Sequence, residues 1–320
     1  MRIRLSETSQ RLLAAMALAI AIFLLGGILI RGFGSLFSIR SMLTLAAFLG
    51  IAAVGQTLVT LIGGIDLSIP FMIGFANVVA AKLNGDGIPF GIVVLIVLAI
   101  AGLVGAFNGI MSSRLNIHPL IVTLGVGNII QGAVSLWTKG FPTGSAPEYI
   151  NHFVSIGATT GPIPLPPLVL FWLVLAVVMI FVLQRTVFGR QLYALGSNPE
   201  AARLALVRPV RMWAIAFALS GIFAAVGGIF LLGFTGSAFA RVGEPYLFQS
   251  IAAVVIGGTS LTGGRGGYTG TLIGAIVLIE LTTVLIGLGL SQSLVQAALG
   301  LVIIILVSVY GRERHIRNQI

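Results

Sequence analysis

Eight polar side chains stand in stretches that are otherwise apolar: Gln56, Asp66, Asn77, Asn108, Asn128, Gln131, Gln249 and Glu280. Amides and carboxylates exchange hydrogen bonds with hydroxyl groups in both directions. Phe75 and Phe107, close to them in sequence, can lie against the face of an apolar ring. Such a set suits passage of a small, neutral, hydroxyl-rich solute rather than bond breaking. Each amide also has a plainer role open to it, an interhelical hydrogen bond typically worth under about 1 kcal/mol. Asp66 has another, since it follows Gly63-Gly64 and precedes Leu67-Ser68, where it can cap a helix start. Glu280 lies deep in an apolar run with no basic residue, so it must be paired or protonated.

Bond-making chemistry finds no support. The chain has no cysteine, and His118, His152 and His315 are scattered with no partner four residues away. No catalytic residue and no metal ligand is assigned. A nucleotide-binding P-loop needs Gly-Lys-Ser/Thr, and the only two lysines follow Ala81 and Thr138. "GGRGGYTG" (263–270) therefore reads as a turn between packed helices, and ATP hydrolysis is not expected of this chain.

The elements around these residues belong in a membrane. Soluble domains carry about a quarter charged residues; this chain has 8%. Residues 12–30, 41–65, 87–113, 212–240 and 281–311 contain no Lys, Arg, Asp or Glu, and a bilayer span needs about 20 apolar residues. Apolar runs between Gly, Pro and charged breaks predict ten helices, at 12–30, 42–62, 68–82, 89–112, 120–137, 167–184, 212–232, 246–257, 269–287 and 293–309. The third and eighth are short. The expected fold is all-α, a polytopic helix bundle forming one transmembrane domain over residues 1–320. The loop at 138–166 reads as irregular. "GGIDLS" and "GGTSLTGG" hint at an internal repeat.

Basic residues orient the bundle. With ten spans and both termini inside, 13 of the 18 Lys and Arg fall on the inner side, leaving Arg31, Arg40, Lys82, Lys139 and Arg241 outside. The net charge of +10 is then membrane asymmetry, not a nucleic-acid surface. One inner loop is unusual. In "GSNPEAARLALVRPVR" (196–211), Asn198 is a good N-cap, Pro199 suits the first helical position and Glu200 puts a carboxylate in the first turn. The pattern predicts a short helix over 198–208, stopped by Pro209, whose alanines permit close approach of another surface.

"GGIDLS" (63–68), "NIHPLIVTLG" (116–125), "TVFGRQLYALGSNPEAARLA" (186–205) and "AAVVIGGTSLTGGRGGYTGTLIGA" (252–275) resemble, in order and spacing, the permease subunits of ribose-, xylose- and arabinose-type ABC importers. The resemblance implies a bacterial inner-membrane protein with no cofactor of its own. ATP would be used by a separate ATPase subunit. A second permease, identical or paralogous, and an external sugar-binding protein would complete the importer. It also makes the capped inner helix the coupling helix, with Asn198, Glu200, Ala201, Ala202 and Arg203 at the ATPase contact. Where the family often has Gly-Ile, this chain has Ala205-Leu206, so the helix is expected to run slightly longer. On the residues alone a self-sufficient secondary transporter or channel stays open; its ion site would have to be made from Asp66 and Glu280. A membrane enzyme has no constellation to support it.

Overall fold

The computed structural model describes residues 7–310, and their side chains from 10 to 302 and at 304. Arg2, Arg4, Arg312, Arg314, His315 and Arg317 lie outside the described residues. The helices in chain order are α1 (Glu7–Leu29), α2 (Leu36–Leu61), α3 (Ile69–Gly85), α4 (Phe90–Leu115), α5 (Pro119–Trp137), α6 (Glu148–Val154), α7 (Pro167–Arg185), α8 (Val187–Ser197), α9 (Pro199–Leu204), α10 (Pro209–Thr235), α11 (Tyr246–Ile256), α12 (Tyr268–Gly287) and α13 (Gln292–Tyr310). No strand occurs among the described residues, only an isolated bridge between Thr160 and Ile163.

Each of the ten predicted apolar stretches is a helix. Seven of them, α1, α2, α4, α5, α7, α10 and α12, are long and apolar enough to cross a membrane. α3 has 17 residues and α11 has 11. A backbone in hydrocarbon must satisfy its own hydrogen bonds, so helices too short to span must pack inside. α3 does this: Ile69, Met72, Ile73, Ala76, Val78, Ala80 and Ala81 are buried among its neighbours.

α10 is the hub, lying against α2, α3 and α4. Its approach to α4 uses a Gly105-x-x-x-Gly109 pair: a Cβ on either residue would collide with the backbone of Phe217 or Trp213. Small residues let helix backbones meet closely where lipid supplies no hydrophobic drive between helices. The packed interior divides into two clusters. One joins much of α2 and α3 to the second half of α10, α11 and α12. The other gathers the last turns of α2 and α7 around Leu192 and Leu195 of α8, Ala202 of α9 and the first half of α10.

Three predictions need correction. The 138–166 loop contains α6, whose Val154 is fully buried. α8 was missed: it is a short amphipathic helix, capped by Thr186 accepting from Gly189 N, with only Gly189, Leu192 and Leu195 turned inward. Third, the helix placed at 198–208 covers Pro199–Leu204, and Pro209 opens α10 instead of stopping α9. A proline has no N–H to lose at the first position of a helix, so it serves as readily to start the next element.

Candidate functional site

The predicted polar residues divide into a sealed group and an open one. In the sealed group, Asp66 is 1% exposed in the break between α2 and α3. Its carboxylate accepts from Ser68 N (2.8 Å), Ser68 Oγ and Ser220 Oγ of α10 (2.7 Å). Asn108 Nδ2 of α4 donates to Ser68 Oγ (3.2 Å), and Leu67 N donates to Thr123 Oγ1 of α5 (3.0 Å). One carboxylate and its neighbours thus tie the break to three helices. Asn77 donates to Gly228 O (3.4 Å) and accepts from Phe239 N (2.8 Å), fixing α3 to α10 and to the chain beyond it. Gln56 donates to Thr60 Oγ1 one turn along α2 (3.5 Å). Buried polar atoms need such partners, which is why these residues sit where helices cross.

Among the described residues five buried side-chain oxygens have no partner: Gln56 Oε1, Asn108 Oδ1, Ser112 Oγ, Asn151 Oδ1 and Glu280 Oε2. Glu280 is 8% exposed on α12 and joins neither the Asp66 network nor the cavities described next. Phe75 is buried in the core, and Phe107 is exposed away from both cavities.

The open group faces outward from α5, α11 and α13. Asn128 is exposed and bonds only back to Leu124 O of its own helix (2.8 Å). Gln131 lines a cavity of about 330 Å³ with Pro70, Phe71, Arg241, Glu244 and Leu247. Gln249 lines a second, of about 360 Å³, with Glu244, Phe248, Thr282, Gln292 and Gln296. Glu244 borders both and is paired with Arg241 (3.5 Å). Polar side chains exposed on apolar helices cannot face lipid cheaply, so this side calls for water or a second protein surface. Gln292 and Gln296 were missed although their four-residue spacing in an uncharged run was readable. Phe71 and Phe248 take the place given to Phe75 and Phe107.

α9 is built as its cap signals require. Asn198 Oδ1 accepts from Glu200 N and Ala201 N, both at 3.0 Å. Glu200, Ala201 and Arg203 are exposed, but Ala202 is 3% exposed and packs within this chain's own second core cluster. Its small size serves packing within this chain. The outward apolar groups are instead Leu204 and Leu206, 87% and 88% exposed. Leu206 has φ +63, and the hydrogen bonds Leu206 N to Arg203 O (2.9 Å) and Val207 N to Ala202 O (3.0 Å) close a Schellman turn around it. Glycine usually fills that left-handed slot, and a leucine there costs about 1–2 kcal/mol. Leu206 thus joins a strained backbone to near-complete exposure. On α8, Tyr193 donates through its hydroxyl to Gly266 O (2.8 Å), and burial pushes its phenol up, so it stays a donor.

Known proteins give the chain its family. The family described as branched-chain amino acid transport system / permease component matches residues 38–307. The chain is 34% identical over 281 residues to the ribose import permease protein of Haemophilus influenzae, covering 86% of this chain and 85% of that one. It is 33% identical over 308 residues to the fructose import permease protein of Rhizobium meliloti, covering 95% and 86%. With the galactose/methyl galactoside import permease protein of Salmonella typhimurium it shares 34% over 266 residues, 77% of each. No solved structure gives a significant match. The chain belongs to the branched-chain amino acid transport system / permease component family, a membrane permease component of a transport system.

Proposed function

We propose that this chain is the transmembrane subunit of an ABC importer for a monosaccharide or similar small polar solute. Its curated relatives are named for ribose, fructose and galactose import. The observation that carries the reading is the pairing of an amide-lined cavity with a strained apolar knob. The Gln249 cavity presents glutamine amides, a threonine and a phenylalanine. The one acid of that lining, Glu244, is paired with Arg241, so the cavity meets hydroxyls and a ring face without a net charge. Leu204 and Leu206 present the docking surface for an ABC ATPase, with Glu200, Ala201 and Arg203 around them.

The bundle sits in the bacterial inner membrane with ten helices at membrane depth and both termini inside, as the 13-to-5 division of basic residues supports. α8 and α9 then lie in the cytoplasm, and the loop containing α6 faces outward, toward a sugar-binding protein. A second permease closes the open α5–α11–α13 face, and the path runs between the two subunits. ATP-driven closure of the ATPases moves α9 and switches the path between outward and inward access. Asp66, Asn77, Asn108 and Gln56 hold the wall of that path, and Gln131, Gln249 and Asn128 border it. The single-chain rival needs acids that ions can reach, whereas Asp66 is sealed under three hydrogen bonds and Glu280 is buried on α12 away from both cavities.

The test is uptake of ribose, fructose and galactose into proteoliposomes. Permease, ATPase and binding protein together should accumulate at least one of these sugars when ATP is enclosed with the ATPase. The permease alone should accumulate none under a proton or sodium gradient. Gradient-driven accumulation by the isolated chain would establish the rival.

A further inference from the structure

Three segments meet at the α8 end of the bundle with almost no side chain between them. The glycine-rich loop joining α11 to α12 donates from Gly264 N to Leu61 O at the end of α2 (2.9 Å). A Cβ on Gly196 of α8 would strike both Leu61 O and Gly264 N, and one on Gly264 would strike Ser197. Gly264 holds φ +73, which glycine alone adopts freely. At the α2 break, the Cβ position of Gly63 lies 3.3 Å from Thr262 O. The loop is itself internally tied, Ser260 N to Arg265 O (3.0 Å) and Gly267 N to Thr259 Oγ1 (3.1 Å). Backbone packed on backbone leaves no flexible side chain to absorb a displacement, and close-packed interiors transmit strain.

The joint lies between two places that must communicate. On one side, α8 runs into α9 through the single residue Asn198, and the two helices pack together. On the other, the loop leads into α11 and α12, which supply Gln249 and Thr282 to the cavity, while α2 leads through the break to Asp66. The Tyr193 hydroxyl bond to Gly266 O fastens the loop to α8.

We propose that this joint transmits movement of α9 to the path, and that Tyr193 is the positioning residue that keeps the α11–α12 loop moving with α8. The inference rests on the importer reading above, in which a partner ATPase moves α9. When α9 shifts, α8 carries Gly196 and Tyr193 with it. The loop and the end of α2 follow, and the cavity wall on α11 and α12 is displaced.

The chain has no cysteine, so a single reporter can be introduced at Thr282 in the cavity. Permease carrying Thr282→Cys is assembled with its ABC ATPase in nanodiscs, and the rate of modification by a methanethiosulfonate reagent is read without nucleotide and after trapping with ATP and vanadate. The parent complex should show a clear difference between the two states. Adding Tyr193→Phe keeps the ring and removes one hydrogen bond. It should shrink that difference about fivefold, the factor matching a bond of about 1 kcal/mol, with ATPase association unchanged. Thr138→Val, which removes the Thr138–Val134 bond (2.9 Å) at the end of α5 and outside the joint, should keep the full difference; a general effect of losing a hydroxyl bond would reduce both. A full nucleotide response in Tyr193→Phe, or none in the parent complex with ATPase bound, would overturn the proposal. Failure of the parent permease to hold the ATPase would instead overturn the importer reading.

Discussion

Two breaks interrupt the bundle, and both carry a Gly-Gly pair: residues 62–68 between α2 and α3, and 257–267 between α11 and α12. The first is pinned by side chains. Asp66 and Ser68 engage Ser220 and Asn108, and Leu67 engages Thr123, so the break is fixed to α10, α4 and α5. The second carries no acid and holds its shape with the hydroxyls of Thr259, Ser260 and Thr262 and with backbone bonds. The two touch through Leu61 and Gly264, and only the second is bonded to α8 through Tyr193. One break is an anchor and the other a joint. The hint of a repeat in the sequence therefore corresponds to two similar turns given different mechanical roles by what surrounds them.

The largest effect expected is at the anchor. Asp66→Ala leaves three donors without an acceptor, and each buried unsatisfied donor costs about 1–3 kcal/mol. The variant should lose several kcal/mol, seen as sharply lowered yield and an early melting transition in detergent. If Asp66→Ala melts like the parent, the break is not an anchor. Next comes the knob: Leu204→Asp puts a charge where an apolar contact is proposed and should abolish ATPase co-purification. Leu204 is exposed, so the isolated permease should melt within about 0.5 kcal/mol of the parent.

A smaller loss belongs to the joint. Gly264→Ala adds a methyl at φ +73 against Ser197, costing about 1–2 kcal/mol and lowering uptake more than it lowers melting. An equal loss of both would remove the distinction between joint and anchor. The smallest effect sharpens the anchor: Ser220→Ala removes one of three bonds to Asp66, for about 1 kcal/mol of stability. Orientation has its own check in intact cells, where an impermeant thiol reagent should label Ser145→Cys and spare Arg190→Cys.

Much of the bundle could be read from the sequence because lipid imposes simple demands: long uncharged runs become helices, and Gly and Pro mark their ends. The Asn198 cap was equally readable, being a local interaction of one side chain with two amides. α8 escaped because eleven residues of mixed polarity do not look like a span, although Gly189, Leu192 and Leu195 give an inward face at three-residue spacing. The burial of Ala202 and the exposure of Leu206 depend on how a six-residue helix and the turn after it are set against α8, and composition does not carry that. Glu244 and Arg241 went unread because the fold of residues 236–245 brings them to the cavities. The sealed and open polar residues look alike in sequence; only the crossing of helices separates Asp66 from Gln249.

The central claim is that Leu206 is held in a strained turn to be presented to an ATPase, and Leu206→Gly tests it most directly. Glycine suits φ +63, so the turn should keep its shape and the isolated permease should melt at or slightly above the parent temperature. Loss of a leucine contact worth about 1.5–3 kcal/mol should weaken ATPase binding by about tenfold or more. The measurement is the affinity of purified ATPase for permease in nanodiscs, parent against Leu206→Gly, beside the melting temperature of each permease alone. Weakened binding with undiminished stability is the expected result; unchanged affinity would contradict the account.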